Sequence, residues 1–305
     1  MPNKTEKLKK VPKGALKNFL DAGKTTTRVI GKVERHVLSK PYNTDRATDA
    51  LHPSSMVGKY WCHRTSYYNL LGFAPDKQQE RSFSRELIFA QGHAIHDTWQ
   101  TWFYEMGKLY GRFECTICRM SDWMLSPAKC PQCDEPSMRY KEVPVEYKPL
   151  RIKGHSDGWL KGFGDDLLLE IKSIGVGTFM WMDRGAWMAS EQNFDKAWAA
   201  LKHPFESHVT QLQLYAKVLR LAGIPDVPKE GLILYEAKPN QLVKEWVVNL
   251  DDWGTNHIIE AAQAIVDAVE AGTPPLCNIG GASGCKQCNE IQALAERAQN
   301  GTSDN

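Results

Sequence analysis

Asp157, Glu170 and Lys172 are the residues of this chain whose types and spacing most directly suggest chemistry. Asp157 lies in Gly-His-Ser-Asp-Gly-Trp-Leu (154–160), and the other two lie in Leu-Leu-Leu-Glu-Ile-Lys (167–172). Two carboxylates can gather a hard divalent cation such as Mg²⁺ or Mn²⁺ and an activated water. A lysine beside them supplies positive charge where a reacting phosphate gains negative charge. That combination suits hydrolysis of a phosphodiester. Taken alone, the same D-x12-E-x-K triplet also describes a solvated strand face, so the elements that carry it decide between the two readings.

Both segments read as strands, and residues 161–165 (KGFGD) read as the hairpin turn between them. Side chains alternate along a strand, so Glu170 and Lys172 share one face while Leu169 and Ile171 take the other. Pairing of the strands brings Asp157 to Glu170 at one end of the hairpin. Upstream, apolar residues recur at helical spacing over 84–106, and this helix carries Gly92-x3-His96. An imidazole there could complete a metal site begun by Asp157 and Glu170, and it favours Mn²⁺ more than an all-oxygen site does. His93 competes for the role, and a single helical histidine is also an ordinary half-buried residue. A second helix over 206–221, stopped by Gly223, places Gln211 and Tyr215 on one face. Glutamine can hold a phosphate or a water, and tyrosine can hydrogen-bond or stack on a base, although both are common on amphipathic helices. Further strands are expected near 143–148, 152–160, 166–173, 232–237 and 245–250, and a last helix over 255–271. The order of elements is α+β: a mixed central sheet flanked by helices.

Eight cysteines fall in two sets. Cys115-x2-Cys118 and Cys130-x2-Cys133 have the spacing of a tetrahedral Zn²⁺ knuckle or ribbon, set within residues 113–135 like an inserted module. Cys62, Cys277, Cys285 and Cys288 are left over. Metal use implies a reducing compartment, which predicts a cytoplasmic protein.

Taken in order, G-x3-H, D, E-x-K and Q-x3-Y resemble the RecB-like branch of the PD-(D/E)xK nuclease superfamily, and within it the Cas4-like exonucleases. The resemblance spans about residues 62–288. It implies a nuclease core with His96, Asp157 and Glu170 as metal ligands, Lys172 beside the attacking water, and Gln211 and Tyr215 in support. It departs from the superfamily's name in that Ser156, rather than a proline, precedes the aspartate. It also implies a [4Fe–4S] cluster on Cys62, Cys277, Cys285 and Cys288, although the downstream C-x7-C-x2-C spacing departs from the family pattern. A second Zn²⁺ or free thiols are the other readings of these four. The implied activity is a metal-dependent DNA exonuclease working on single strands or duplex ends in recombination, replication or repair, alone or with proteins of those pathways. A non-catalytic DNA-binding module, or an endonuclease or RNase using the same site, are the alternatives.

Charge distribution agrees with a polyanionic partner. The 305 residues carry a net charge of +2, but residues 1–40 hold 11 of the 38 Lys/Arg and 3 of the 36 Asp/Glu. A basic arm on a slightly acidic body suits nucleic acid, and it also suits a merely solubilising terminus. Phe179, Trp181, Trp187 and Trp198 offer either base-stacking rings or core. No segment is apolar for long enough to span a membrane, and no Walker sequence is present. The expected organisation is a basic arm over 1–50, a nuclease domain over 51–297 and a polar tail over 298–305.

Overall fold

The computed structural model describes residues 29–41, 47–73 and 81–299, which fall into two units. In the smaller unit, Met1–Asn43 with Lys77–Leu87, helix α1 (Ile30–Ser39) ends at carbonyls that accept hydrogen bonds from the Arg81 guanidinium, Val37 at 3.3 Å and Lys40 at 2.7 Å. Arg81 also pairs with Glu86 at 2.8 Å. Most of the expected arm (1–28 and 42–46) and the tail from 300 onward lie outside the described residues.

The larger unit, Thr44–Asp76 with Ile88–Asn305, holds the residues singled out above. It begins with two short helices, α2 (Pro53–Met56) and α3 (His63–Leu70), and then takes most of the long α4 (Phe83–Glu105). Strands β1 (Leu109–Cys115), β2 (Ser121–Leu125) and β3 (Met138–Tyr140) flank the first cysteine set. There follow a hairpin, β4 (Val143–Tyr147) with β5 (Ile152–Ser156), and then β6 (Gly158–Phe163) and β7 (Asp165–Ile174). Helices α5 (Val176–Met182), α6 (Arg184–Ala189), α7 (Phe194–Ala200) and α8 (Glu206–Leu221) lead to β8 (Glu230–Ala237) and β9 (Val243–Asn249). Two helices close the unit, α9 (Asn256–Glu270) and α10 (Lys286–Gln299). Among the described residues no helix is long and apolar enough to cross a membrane.

The main sheet has the order β2-β1-β6-β7-β8-β9, with β3 also on β1. Its pairs are antiparallel except β7 with β8, which run parallel with Lys172 opposite Tyr235. A parallel pair cannot be joined by a tight turn, and helices α5 to α8 make the crossover. The alternation read from the sequence holds. Leu169 and Ile171 pack with Ile95 and Phe103 of α4, whereas Leu168 and Ile174 pack with Leu212 and Leu219 of α8. Each such buried aliphatic stabilises by about 1.5–3 kcal/mol. The result is the expected mixed sheet flanked by helices.

One expectation needs correction. The single strand over 152–160 is two strands: β5 pairs with β4 up to Ser156, and β6 pairs with β7 from Gly158. Alternation of side chains cannot register a change of partner. The stretch over 175–205 is three short helices, capped in turn by Gly175, Asp183 and Asn193. Phe179, Trp187 and Trp198 are buried within it, so they are core, and only Trp181, 71% exposed, faces solvent.

Candidate active site

Asp157 stands at the break between β5 and β6, where β7 loses its neighbour. The last residue of β7 paired along this edge is Leu169, opposite Gly158. The amide of Ile171 would then have no strand partner, and it donates instead to Asp157 Oδ2 at 2.6 Å. The carboxylate thus completes a sheet edge and is fixed by it. Ser156, fully buried, donates from Oγ to the Leu169 carbonyl at 2.7 Å, tying β5 to β7 beside the site. Gly158 must be small, because a Cβ there would lie 2.9 Å from Leu109 Cδ1.

The other carboxylate oxygen, Asp157 Oδ1, lies 2.9 Å from His96 Nδ1 on α4. His93, the competitor, is exposed. Glu170 is 2% exposed, which excludes a solvated strand face. Its Oε1 accepts from Lys172 Nζ and, at 2.8 Å, from Gln211 Nε2 on α8. Gln211 Nε2 also donates to the Tyr215 hydroxyl at 2.6 Å, and its Oε1 faces Lys172 Nζ at 3.4 Å. One turn of α8 separates Gln211 from Tyr215, as the spacing required. All six predicted residues therefore meet in two linked clusters, His96–Asp157 and Glu170–Lys172–Gln211–Tyr215, joined through the β7 backbone.

Burial opposes charge throughout. It pushes Glu170 up, against the pull of the Lys172 ammonium. It would lower Lys172, but Glu170 and Asp157 hold that ammonium above its ordinary value. It would lower His96 as well, and Asp157 outweighs it and raises the imidazole. A buried carboxylate pair held by one lysine and one histidine is a donor set that suits a divalent cation. In the arrangement seen, each carboxylate is engaged by its own cationic partner. Among the described residues, the donors that gather within 4.8 Å in threes or more are the two cysteine tetrads, and His96, Asp157 and Glu170 are not drawn together that closely.

The sequence reading missed a set of residues around these six. Gln100, one turn beyond His96 on α4, donates to the Asp157 carbonyl at 2.9 Å and lies 3.4 Å from Glu142 Oε1. The Tyr140 hydroxyl donates to the same carbonyl at 3.2 Å. Burial, then the charge of Asp157, pushes the Glu142 carboxyl up to about 7. On the other side, His208 precedes Gln211 by one turn, and its Nδ1 shares a 2.5 Å hydrogen bond with the hydroxyl of Tyr235, the partner of Lys172 in the sheet register. Burial and the nearby Lys172 push this imidazole down to about 3, so it is neutral. His96-x3-Gln100 and His208-x2-Gln211, each one helical turn, are the signals for these that spacing contained.

The cysteines assemble as their grouping suggested. Cys115 and Cys133 sulfurs lie 3.6 Å apart, as do those of Cys118 and Cys130. Cys62, at the head of α3, lies 3.7 Å from Cys277, with Cys285 and Cys288 beside them. All eight are free thiols, and either tetrad could hold a metal such as zinc or an iron–sulfur cluster. Amides lower the pKa of two of them. Those around Cys115, that of Cys118 first, bring it down to about 7. At Cys277 burial is outweighed by the amides of Gly280 and Ile279, which bring it down to about 6.

No protein-family model matches the chain, and no curated protein matches it. Two crystal structures align over most of it. SSO0001 is 16% identical, over 83% of this chain and 86% of that one, with a TM-score of 0.33. LHK-Exo in complex with dAMP is 12% identical, over 83% of this chain and 95% of that one, with a TM-score of 0.38. At these identities and scores the likeness does not extend to activity.

Proposed function

We propose that the chain is a divalent-metal-dependent nuclease of the PD-(D/E)xK type, RecB- and Cas4-like, acting on DNA single strands or duplex ends. The observation that carries this reading is the burial of Asp157 and Glu170 in one hydrogen-bonded arrangement with the half-buried Lys172, with His96 and with Gln211. Desolvating two acids costs several kcal/mol unless they are paired, so chains seldom retain such a cluster without use.

His96, Asp157 and Glu170 are the residues that would hold Mg²⁺ or Mn²⁺. Such an ion would supply a water acidified for attack and would screen the phosphate. With such an ion on Glu170, the Lys172 ammonium would be available to oppose the negative charge that builds on the phosphate in the transition state. Gln211 contacts both Lys172 and Glu170 and would hold them in place, and Tyr215 anchors Gln211. Gln100 and Tyr140 fix the Asp157 backbone.

A groove of about 1120 Å³ in the same unit supports contact with unpaired bases. It is lined by the exposed rings of Tyr60, Trp181 and Trp253 and by Lys59 and Lys202, with Tyr60 and Trp181 centred 5.7 Å apart. Rings stack on any base and lysines face phosphates.

The test is cleavage of end-labelled linear single- and double-stranded DNA and of circular single strands, with Mg²⁺ or Mn²⁺. The wild type is compared with Asp157→Ala, Glu170→Ala and Lys172→Ala. Linear DNA should be degraded by the wild type alone, with circles spared and DNA binding retained by Asp157→Ala and Glu170→Ala. Cleavage of circles would make it an endonuclease on the same site. Wild-type turnover in any of the three variants would overturn the site.

A further inference from the structure

The four cysteines that the resemblance assigns to an iron–sulfur cluster stand closer together than the thiolates of a cubane. In a [4Fe–4S] cubane each thiolate binds a different iron, and the cluster core stands between any two thiolates, which sets them roughly 6 Å apart. Around a single zinc ion all four thiolates bind one centre. With Zn–S at about 2.3 Å, the edge of the tetrahedron is about 3.8 Å. Here Cys62 and Cys277 sulfurs lie 3.7 Å apart, and all four sulfurs lie within 4.8 Å of one another.

An internal standard supports the smaller figure. The Cys115 tetrad, whose C-x2-C-x11-C-x2-C spacing is that of a zinc site, has sulfur separations of 3.6 Å. Both tetrads gather their sulfurs within 4.8 Å, although one is made within 19 residues and the other joins parts of the chain 215 residues apart. Their amide contacts are alike as well. The Cys118 amide approaches Cys115 Sγ at 3.5 Å, and in the other tetrad the amides of Thr65, Gly280 and Cys285 approach Cys62, Cys277 and Cys288 at 3.5, 3.1 and 3.2 Å. Such N–H···S bonds spread the charge of a tetrathiolate ion. The turn is also closed tightly on the sulfurs, since even a Cβ on Gly284 would sit 3.1 Å from Cys288 Sγ. Separating the thiolates to cubane distance would require this turn to open.

We propose that Cys62, Cys277, Cys285 and Cys288 bind one tetrahedral zinc ion, so that the chain carries two structural zincs and no iron–sulfur cluster. The site is then redox-inert and closed to exogenous ligands, a staple between the start of α3 and the turn before α10.

The full chain, produced in cells supplied with both iron and zinc and purified under anaerobic conditions, would be assayed for zinc, iron and acid-labile sulfide. Native mass spectrometry of the same sample would count the ions per molecule. Two zincs per chain, no sulfide and no thiolate-to-iron absorption are expected, and Cys118→Ser and Cys285→Ser should each lose one zinc. Should either variant fail to fold, the wild-type count stands by itself. Four irons with four sulfides and one zinc would overturn the proposal, and so would one zinc with four titratable free thiols. Neither result bears on cleavage, so this inference and the nuclease reading fail separately.

Discussion

Gly231→Ala is the sharpest probe of how α8 aims Gln211 at the buried acids. A Cβ at this position in β8 would lie 2.6 Å from Leu212 Cδ2, 3.1 Å from its Cγ and 3.2 Å from the Leu168 carbonyl. Carbon atoms settle at about 3.5–4.0 Å, so Leu212 must retreat by about 1 Å. Leu212 is fully buried and the carbonyl belongs to β7, so the yielding element is α8. Overpacking of this kind costs about 1–3 kcal/mol. Leu212→Ala alone should cost about 2–5 kcal/mol through its cavity. In the double variant the new methyl enters the space that Leu212 leaves, so the loss should fall short of the sum by at least about 1 kcal/mol. Urea midpoints of the four proteins under one set of buffer conditions measure this coupling. Mn²⁺ affinity should follow, because a lifted α8 takes Gln211 away from Glu170 Oε1, now 2.8 Å distant. Additive losses, or a Gly231→Ala protein as stable as its parent, would refute the reasoning.

Three other outcomes are expected. Glu142, held near 7 when folded against 4.5 for its ordinary value, binds its proton more tightly in the native chain. Its contribution is fully present below pH 4.5 and is lost as pH rises through 7, worth of order 3 kcal/mol; Glu142→Gln should flatten the melting temperature between pH 5 and 8, and an unchanged slope would count against the burial argument. Asp157→Asn keeps an acceptor for the Ile171 amide, so the fold should survive within about 1–3 kcal/mol. Its amide nitrogen must then face His96, whose titration by NMR should drop below the ordinary histidine value once burial acts without the carboxylate. Chelating the Cys115 tetrad, or Cys130→Ser, should expose 116–137 to protease while the β6–β9 sheet stays protected, and simultaneous loss of both would show that the sheet edge is not a separate cooperative element.

What could be read in advance was whatever a local period encodes. Alternation in 167–172 placed Glu170 and Lys172 on one face, and the i, i+4 interval placed Gln211 with Tyr215. Partner choice has no local period. Gly-His-Ser-Asp-Gly-Trp-Leu alternates like one strand, yet it serves β4 up to Ser156 and β7 from Gly158, and the change of partner is what creates the Asp157 site. The meeting of Gln100 with Glu142 was invisible because it depends on how α4 crosses the strands after the Cys115 tetrad. The tryptophan run was ambiguous for a related reason. Three of its four rings fill the crossover between two parallel strands, while Tyr60 and Trp253, which complete the groove around Trp181, come from far along the chain.

The contact between Cys62 and Cys277 has a consequence for the life of the protein in the cell. Joining points 215 residues apart removes about 5 kcal/mol of chain entropy, comparable to the whole stability of many domains. A metal held by this tetrad would offset that cost, and only while it is bound. Newly made chains in a metal-starved cell would leave α3 undocked from α9 and α10, and the apolar faces so exposed are what quality-control proteases recognise. Metal supply would thereby set the protein's abundance through its lifetime, with no change in its synthesis.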